Sequence, residues 1–232
     1  MKTAVLICGE YREFDKAVKS WKFLHQLDCD VYISTWNTSN QLLDKELYKS
    51  FDVNEILIKK HIPNAIIDIV DSKINYELNN PNKMVFHMKN ILNLLRNVDI
   101  IYDKILFIRM DLYVEINHEK EFKYLHDLNE TNIIYGCGCG LTIDKDGKLN
   151  LNNDTLLYGD YDNIIKFIKN LPDYIHNIHI DFGTTIKKIG CNFKNDDKIL
   201  SQVVRPKCID ELITIPYLNQ MNLDYIDLLK NI

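Results

Sequence analysis

One stretch, Lys104-Ile-Leu-Phe-Ile-Arg-Met-Asp-Leu-Tyr-Val114, limits what this chain can fold into more than any other. Ile105, Leu106, Phe107 and Ile108 form a short apolar run, the pattern of a strand buried on both faces in a mainly parallel sheet. Arg109 and Asp111 follow directly, two charges at spacing i, i+2. Ionised side chains cannot stay inside such a strand, because desolvating them is too costly. They are therefore expected at its carboxyl end, where open α/β sheets bind ligands. Two readings stay open at this point. An Arg can clamp a phosphate bidentately and a carboxylate can hold a divalent cation that also grips phosphate, or the two residues form a local ion pair that closes the strand.

The rest of the chain supplies strands and helices around that centre. Thr3-Ala-Val-Leu-Ile-Cys8 reads as a first buried strand, and Gly9-Glu-Tyr-Arg12 turns out of its end. Gly9 permits a tight turn or a close backbone approach to a ligand, and Arg12 falls beside the same sheet edge. Phe14, Val18, Trp21 and Leu24 predict an amphipathic helix over 13–27. Asp30-Val-Tyr-Ile-Ser-Thr-Trp36, β-branched and aromatic, predicts a second strand and completes a βαβ unit. Leu42, Leu43, Leu47 and Phe51 suit a helix over 38–50, and Glu55-Ile-Leu-Ile-Lys59 suits a third strand. The segment from His61 to Asn80 is irregular or a short helix. Pro81 opens a long helix to about Val98, with Met84, Met88, Ile91, Leu92 and Leu95 as its core face. His87 on that helix is structural or solvent-facing unless it faces a cleft.

Beyond the central strand, Tyr113–Ile116 reads as a short strand and Phe122–Leu128 as a helix. Ile133–Cys137 and Gly140–Asp144 resemble two strands of a hairpin or mixed sheet. Cys137-Gly-Cys139 has no second Cys or His pair at zinc spacing. Asp144-Lys-Asp-Gly147 lacks the closing Glu of a calcium loop and reads as a turn. Gly159 and Asp160 stand at a strand-to-helix corner, with Asp160 or Asp162 as N-cap. His176, His179 and Asp181 cluster ahead of a helix over Phe182–Ile189, and Lys198–Arg205 is a last strand stopped by Pro206. The tail from Ile209 is amphipathic and expected to pack on the body.

Length and composition narrow the classes. The 232 residues suit one domain, 1–232, near the size at which a single core stops growing. A net charge of -5 argues against a general nucleic-acid binder, which normally shows a basic face. No apolar run reaches the roughly 20 residues of a membrane span. The N-terminus carries no signal segment and the six cysteines are scattered, so reduced thiols in a cytoplasmic compartment are expected. Gly-x-Gly-x-x-Gly, Gly-x-x-x-x-Gly-Lys-Ser/Thr and Gly-x-Ser-x-Gly are all missing, which counts against dinucleotide oxidoreductases, P-loop enzymes and α/β-hydrolases.

Four pieces stand in a telling order: Cys8-Gly-Glu-Tyr-Arg-Glu-Phe14, Asp30-Val-Tyr-Ile-Ser-Thr-Trp36, Lys104-Ile-Leu-Phe-Ile-Arg-Met-Asp111 and Asp154-Thr-Leu-Leu-Tyr-Gly-Asp160. With them the chain resembles a group of sugar-nucleotide glycosyltransferases of the GT-A type found in bacteria and large viruses. The resemblance implies a three-layer α/β/α, Rossmann-like domain with a mainly parallel central sheet. It implies transfer of a hexose from a nucleotide-sugar donor to a glycan or other acceptor in a bacterial or virus-infected cytoplasm. GT-A enzymes place Asp-x-Asp at the end of a central strand to hold manganese or magnesium on the donor diphosphate. Here the first position is Arg109, which can supply positive charge itself, leaving Asp111 for the metal or for sugar hydroxyls, with His179 as a further metal-ligand candidate. Gly9, Arg12 and Trp36 match the donor nucleoside pocket, and Arg109 the diphosphate. A carboxylate base for the acceptor hydroxyl is expected at Asp181 or, second, Asp160. Two rival classes remain: a magnesium-dependent phosphoester hydrolase or phosphotransferase on a doubly wound sheet, and a non-catalytic nucleotide- or sugar-binding module.

Overall fold

The structure, a computed structural model, describes residues 1–44, 47–75, 78, 80–116, 131–136, 141–143, 149–151, 156–195 and 199–203. Its centre is a seven-stranded sheet built from β1 (Thr3–Cys8), β2 (Cys29–Trp36), β5 (Ile66–Val70), β6 (Lys104–Arg109), β8 (Ile133–Gly136), β11 (Leu156–Asp160) and β12 (Asn192–Asn195). The spatial order is β12-β8-β11-β6-β1-β2-β5. Every neighbouring pair is parallel except those of β11, which runs antiparallel to both β6 and β8. β6 lies in the middle, as its unbroken apolar run requires.

Alternation along the strands divides the core into two halves. Ala4, Leu6, Ile105 and Phe107 face one layer, formed by α3 (Asn80–Arg96), α4 (Tyr161–Asn170) and α5 (Ile178–Lys188). Met84, Met88, Ile91, Leu92 and Leu95 of α3 all lie in that half, as their helical spacing predicts. Val5, Ile7, Leu106 and Ile108 face the other half, packed against Phe14, Trp21 and Phe23. The result is the expected three-layer α/β architecture. Smaller paired strands surround it: β3 (Thr38–Asp44) with β4 (Leu47–Asp52), β7 (Leu112–Ile116) with β13 (Ile199–Val203), and β9 (Leu141–Ile143) with β10 (Leu149–Leu151).

Four local expectations are corrected. The helix over 13–27 is only α1 (Phe14–Ala17) followed by two 3-10 turns, Val18–Ser20 and Lys22–His25, with a break at Trp21. Trp21 is buried, and its indole Nε1–H donates to the carbonyl of Leu112 at 2.7 Å. Thr38–Asp44 and Leu47–Asp52 pair as antiparallel strands, instead of the helix expected over 38–50. Thr38, Ser39 and Asn40 disfavour helix at its start, and the leucine spacing suits either form. Glu55–Lys59 is a short helix, α2, because Asn54 Oδ1 caps the amide of Leu57 and Lys59 pairs with Glu55 across one turn. The third strand is supplied instead by β5, within the segment expected to be irregular or a short helix. Finally, β8 and β9 form no hairpin with each other: β8 belongs to the mixed main sheet and β9 pairs with β10.

The predicted helix over Phe122–Leu128, the Cys137-Gly-Cys139 and Asp144–Gly147 turns and the tail from Ile209 lie outside the described residues. Cys8, Cys29 and Cys191 are free thiols. No helix among the described residues is long and apolar enough to cross a membrane.

Candidate functional site

β1, β2 and β6 run parallel and adjacent, so their carboxyl ends open on one edge of the sheet. A cleft of about 180 Å³ lies there, and Gly9, Arg12, Trp36, Arg109 and Asp111 all line it. Residues separated by a hundred positions in sequence thus meet through strand register, which sets Cys8 beside both Ser34 and Arg109. Gly9 adopts φ +128°, a conformation that side chains with a Cβ rarely take. It turns the chain sharply out of β1 and delivers Arg12 to the mouth of the cleft.

The charged end of the cleft is organised on Asp111, which is 3% exposed. Arg109 donates to it through both prongs of its guanidinium, Nε to Oδ1 at 3.0 Å and Nη2 to Oδ2 at 2.9 Å. Arg12 Nη2 stands 3.7 Å from the same Oδ2, while Arg12 Nε lies 3.3 Å from Glu10 Oε2. The ion pair anticipated as the plainer reading of Arg109 and Asp111 is therefore formed, and it is formed on the wall of a cleft. Three cations, Arg12, Arg109 and Lys83, and two carboxylates, Glu10 and Asp111, line the cleft. A bound anion would find a surplus of positive charge at this edge.

This donor set does not fit a divalent cation. A hard cation needs free carboxylate oxygens, and both oxygens of Asp111 already accept from Arg109 with a second guanidinium alongside. Among the described residues, no group of three or more His, Cys, Asp or Glu could hold a metal ion. His179, the other metal-ligand candidate, begins α5 and is not part of the cleft wall.

The other end of the cleft is aromatic and largely buried. Trp36, 6% exposed, stacks on Phe86 with ring centroids 5.4 Å apart and planes at 14°. It also crosses the His87 ring at 67°, with centroids 4.2 Å apart. Trp36 is thus both cleft wall and core. His87 is fully buried and lines the same cleft, with Nδ1 2.8 Å from Ser34 Oγ. Burial pushes its pKa down to about 3, so the ring is neutral at physiological pH. The sequence offered one signal for it: a polar residue set among the apolar positions of α3. Burial likewise pushes the Cys8 thiol up, which removes it as a nucleophile near neutrality.

The two candidate bases fall elsewhere. Asp160 pairs with Lys104 at the amino end of β6. Five residues of strand separate that end from Arg109, about 16 Å, so Asp160 lies on the opposite edge from the cleft. It occupies the N-cap position of α4, yet its side chain makes no capping hydrogen bond, because Lys104 takes it. Asp181 is closer, since Ile178 at the start of α5 borders the cleft. Its Oδ2, however, accepts from the backbone amides of His176 and Asn177 at 2.9 and 3.1 Å. It ties down the chain entering α5, beside Asn177, which caps the helix.

No protein-family model matches the sequence, and no curated protein matches it. Solved structures do resemble it in fold. The structure of S. aureus TarS superposes with a TM-score of 0.50 at 14% identity, over 99% of this chain and 42% of that one. A shorter TarS structure, residues 1–349, gives 0.46 at 15% identity over 99% of this chain and 69% of that one. A galactosyltransferase, LgtC, solved with donor and acceptor sugar analogues, gives 0.46 at 12% identity over 83% and 73%. The mainly parallel sheet with flanking helices has the GT-A-like, Rossmann-like fold.

Proposed function

We propose that this chain is a glycosyltransferase that binds a nucleotide-sugar donor in the cleft at the carboxyl ends of β1, β2 and β6. One observation carries this reading: Gly9, Arg12, Trp36, Arg109 and Asp111, scattered in sequence, line one cleft of a GT-A-like fold. Glycosyl transfer breaks the bond between the anomeric carbon and the donor diphosphate oxygen, and the electron pair leaves with the diphosphate. An acceptor hydroxyl, from a glycan or other acceptor, forms the new bond and loses its proton. Stabilising the departing charge is the main demand on the protein. Arg109 and Arg12, held in place by Asp111, are suited to that task, since guanidinium–phosphate hydrogen bonds are strong and directional. In this reading the arginines supply the charge that a metal ion supplies elsewhere.

A binding module without turnover is the second reading. It is favoured by the state of the two cleft carboxylates, since Glu10 and Asp111 are both ion-paired to arginine and neither is available as a base. The test is a thermal-shift screen of nucleotide sugars, with manganese and with chelator, followed by an acceptor panel for any hit. A ligand at 100 times its dissociation constant stabilises the fold by about 2.7 kcal/mol. Sugar release to an acceptor supports the transferase, stabilisation without transfer supports the binding module, and no stabilisation by any donor sinks both.

A further inference from the structure

The paired strands β3 and β4 follow directly from the carboxyl end of β2, beside the cleft, and their base is fixed to the sheet. Asn37, between β2 and β3, donates its amide to the carbonyl of Val70 and accepts the amide of Val53 on its own carbonyl, both at 2.8 Å. Thr38 Oγ1 donates to Ser72 Oγ at 2.9 Å. Ser39 and Phe51 stand directly opposite each other across the pair, so their side chains leave the same face. Both meet the turn that follows β1. Phe51 meets the ring of Tyr11 edge-on, with centroids 5.8 Å apart. Ser39 Oγ accepts the backbone amide of Arg12 at 2.8 Å.

Ser39 is buried, and the hydrogens around its hydroxyl can be assigned. Its oxygen accepts from Arg12, which frees its own hydrogen for Glu10 Oε1, 3.5 Å away, a carboxylate oxygen that can only accept. One hydroxyl thus ties down both charged residues of the turn. The turn needs an outside tie, because Gly9 leaves β1 at φ +128° and restricts the chain least of all residues. The head of Arg12 is held far less firmly than its backbone. Nη2 lies 3.7 Å from Asp111, and the buried Nε lies 3.3 Å from Glu10 without making a hydrogen bond. Charge-assisted hydrogen bonds of full strength are about 2.7–2.9 Å long. Arg109 needs no such tie, since Asp111 holds both prongs of its guanidinium.

We propose that Ser39 is a positioning residue for phosphate binding in the cleft. Its hydroxyl, braced by β3 and β4, fixes the backbone of Arg12 so that the guanidinium can exchange its long contacts with Asp111 and Glu10 for a phosphate oxygen. The assignment rests on the nucleotide-sugar reading above and adds to it the element that sets Arg12. A Ser39 that only satisfied one buried amide would affect stability and leave the affinity of the folded protein alone.

The test uses the whole chain and calorimetric titration with UDP, GDP and ADP, the tightest of the three serving as probe. Ser39→Ala is expected to weaken probe binding about two- to tenfold. Ser39→Thr, which keeps the hydroxyl, should restore most of it, with melting curves confirming that the variants fold. Arg12→Ala should weaken binding as well, and adding Ser39→Ala to it should then cost no further affinity, since a positioning residue acts only through the residue it positions. Amide hydrogen exchange at Arg12 should be slow in the parent and faster in Ser39→Ala. Should Ser39→Ala not fold, Ser39→Cys, similar in shape but a weaker acceptor, carries the same comparison. Unchanged affinity in a folded Ser39 variant, an equal loss with and without the Arg12 guanidinium, or an Arg12→Ala protein that binds as the parent does overturns the role of Ser39 and leaves nucleotide binding standing. Absence of binding by all three nucleotides overturns the glycosyltransferase reading and the role of Ser39 with it.

Discussion

The two edges of the central sheet carry similar residues in opposite arrangements. At the amino edge, Lys2 pairs with Asp30, Lys104 pairs with Asp160, and Tyr102 donates to Asp30 while meeting Tyr32. Those charges are matched one to one, near solvent, between neighbouring strands. At the carboxyl edge two guanidiniums converge on one buried carboxylate, and a buried imidazole nitrogen has no described partner. The first pattern closes a fold. The second gathers charge on one buried carboxylate and holds a buried nitrogen with no described partner. Polar residues alone do not mark a site; an incomplete set of partners does.

The sharpest way to break this comparison is one substitution made at each edge. Asp111→Asn removes the charge that holds Arg109 and Arg12, so nucleotide-sugar binding and any turnover should be lost. Some stability should go with it, about 1–3 kcal/mol, because the carboxylate is buried. Asp160→Asn breaks only a partly exposed pair and should cost about 0.2–1 kcal/mol, with ligand binding unchanged. Equal effects of the two variants on binding, measured by calorimetry beside denaturant melts, would erase the distinction between the edges.

Arg109 sharpens the same point. Arg109→Lys keeps the charge but loses the planar fork, and donor affinity should fall about tenfold. In the parent, affinity should be the same with manganese and with chelator, since no described carboxylate oxygen at Asp111 is free. Arg109→Asp restores an Asp-x-Asp pattern and should make binding depend on manganese. Manganese dependence in the parent would show that the guanidiniums do not replace a cation.

How much of this was legible in the sequence follows from how each signal arises. β1, β2, β6 and α3 were readable because they are long and buried, so the pattern of apolar residues repeats what the sheet demands. Convergence of Gly9, Arg12, Trp36, Arg109 and Asp111 was readable too, because ligands gather at strand ends in parallel sheets. Residues 38–59 misled, since short apolar runs suit helix and strand alike, and only the Asn54 cap hinted at α2. Asp160 misled for a different reason. Asp160 precedes a helix as a site residue would, but β11 is antiparallel, so its carboxyl end points to the opposite edge. Strand direction is a property of the whole sheet and leaves no mark on five residues. His87 needed the packing around it, because a histidine on a helical stripe reads the same whether it faces core or cleft.

The buried histidine should reveal itself through pH. In the unfolded chain His87 titrates near 6.5, while in the fold burial holds it down to about 3. Between those values the unfolded state takes up a proton that the folded ring refuses, so stability falls as pH drops and is unaffected by His87 above that window. The slope from this one group approaches about 1.4 kcal/mol per pH unit. His87→Gln lacks the titration, so the stability difference between parent and variant should change across pH 4.5–6.5 in favour of the variant at the acid end. Parallel stability curves would mean that the ring takes up its proton in the fold and is not sealed from water.

Asp181 gives the smallest effect and tests whether a carboxylate near the cleft is spent or available. Its Oδ2 accepts two backbone amides at the entry to α5, a structural use like that of the amino-edge pairs. Asp181→Ala should therefore behave as loss of a cap, lowering stability by about 1 kcal/mol while donor affinity holds. A general base has the opposite signature, a fall of about 10²–10⁴ in turnover with little change in melting. If an acceptor is found and Asp181→Ala shows that second pattern, the carboxylate exchanges its amide partners for the acceptor hydroxyl during the reaction. The first pattern places Asp181 with the matched charges of the amino edge and leaves the arginines as the chemistry of the cleft.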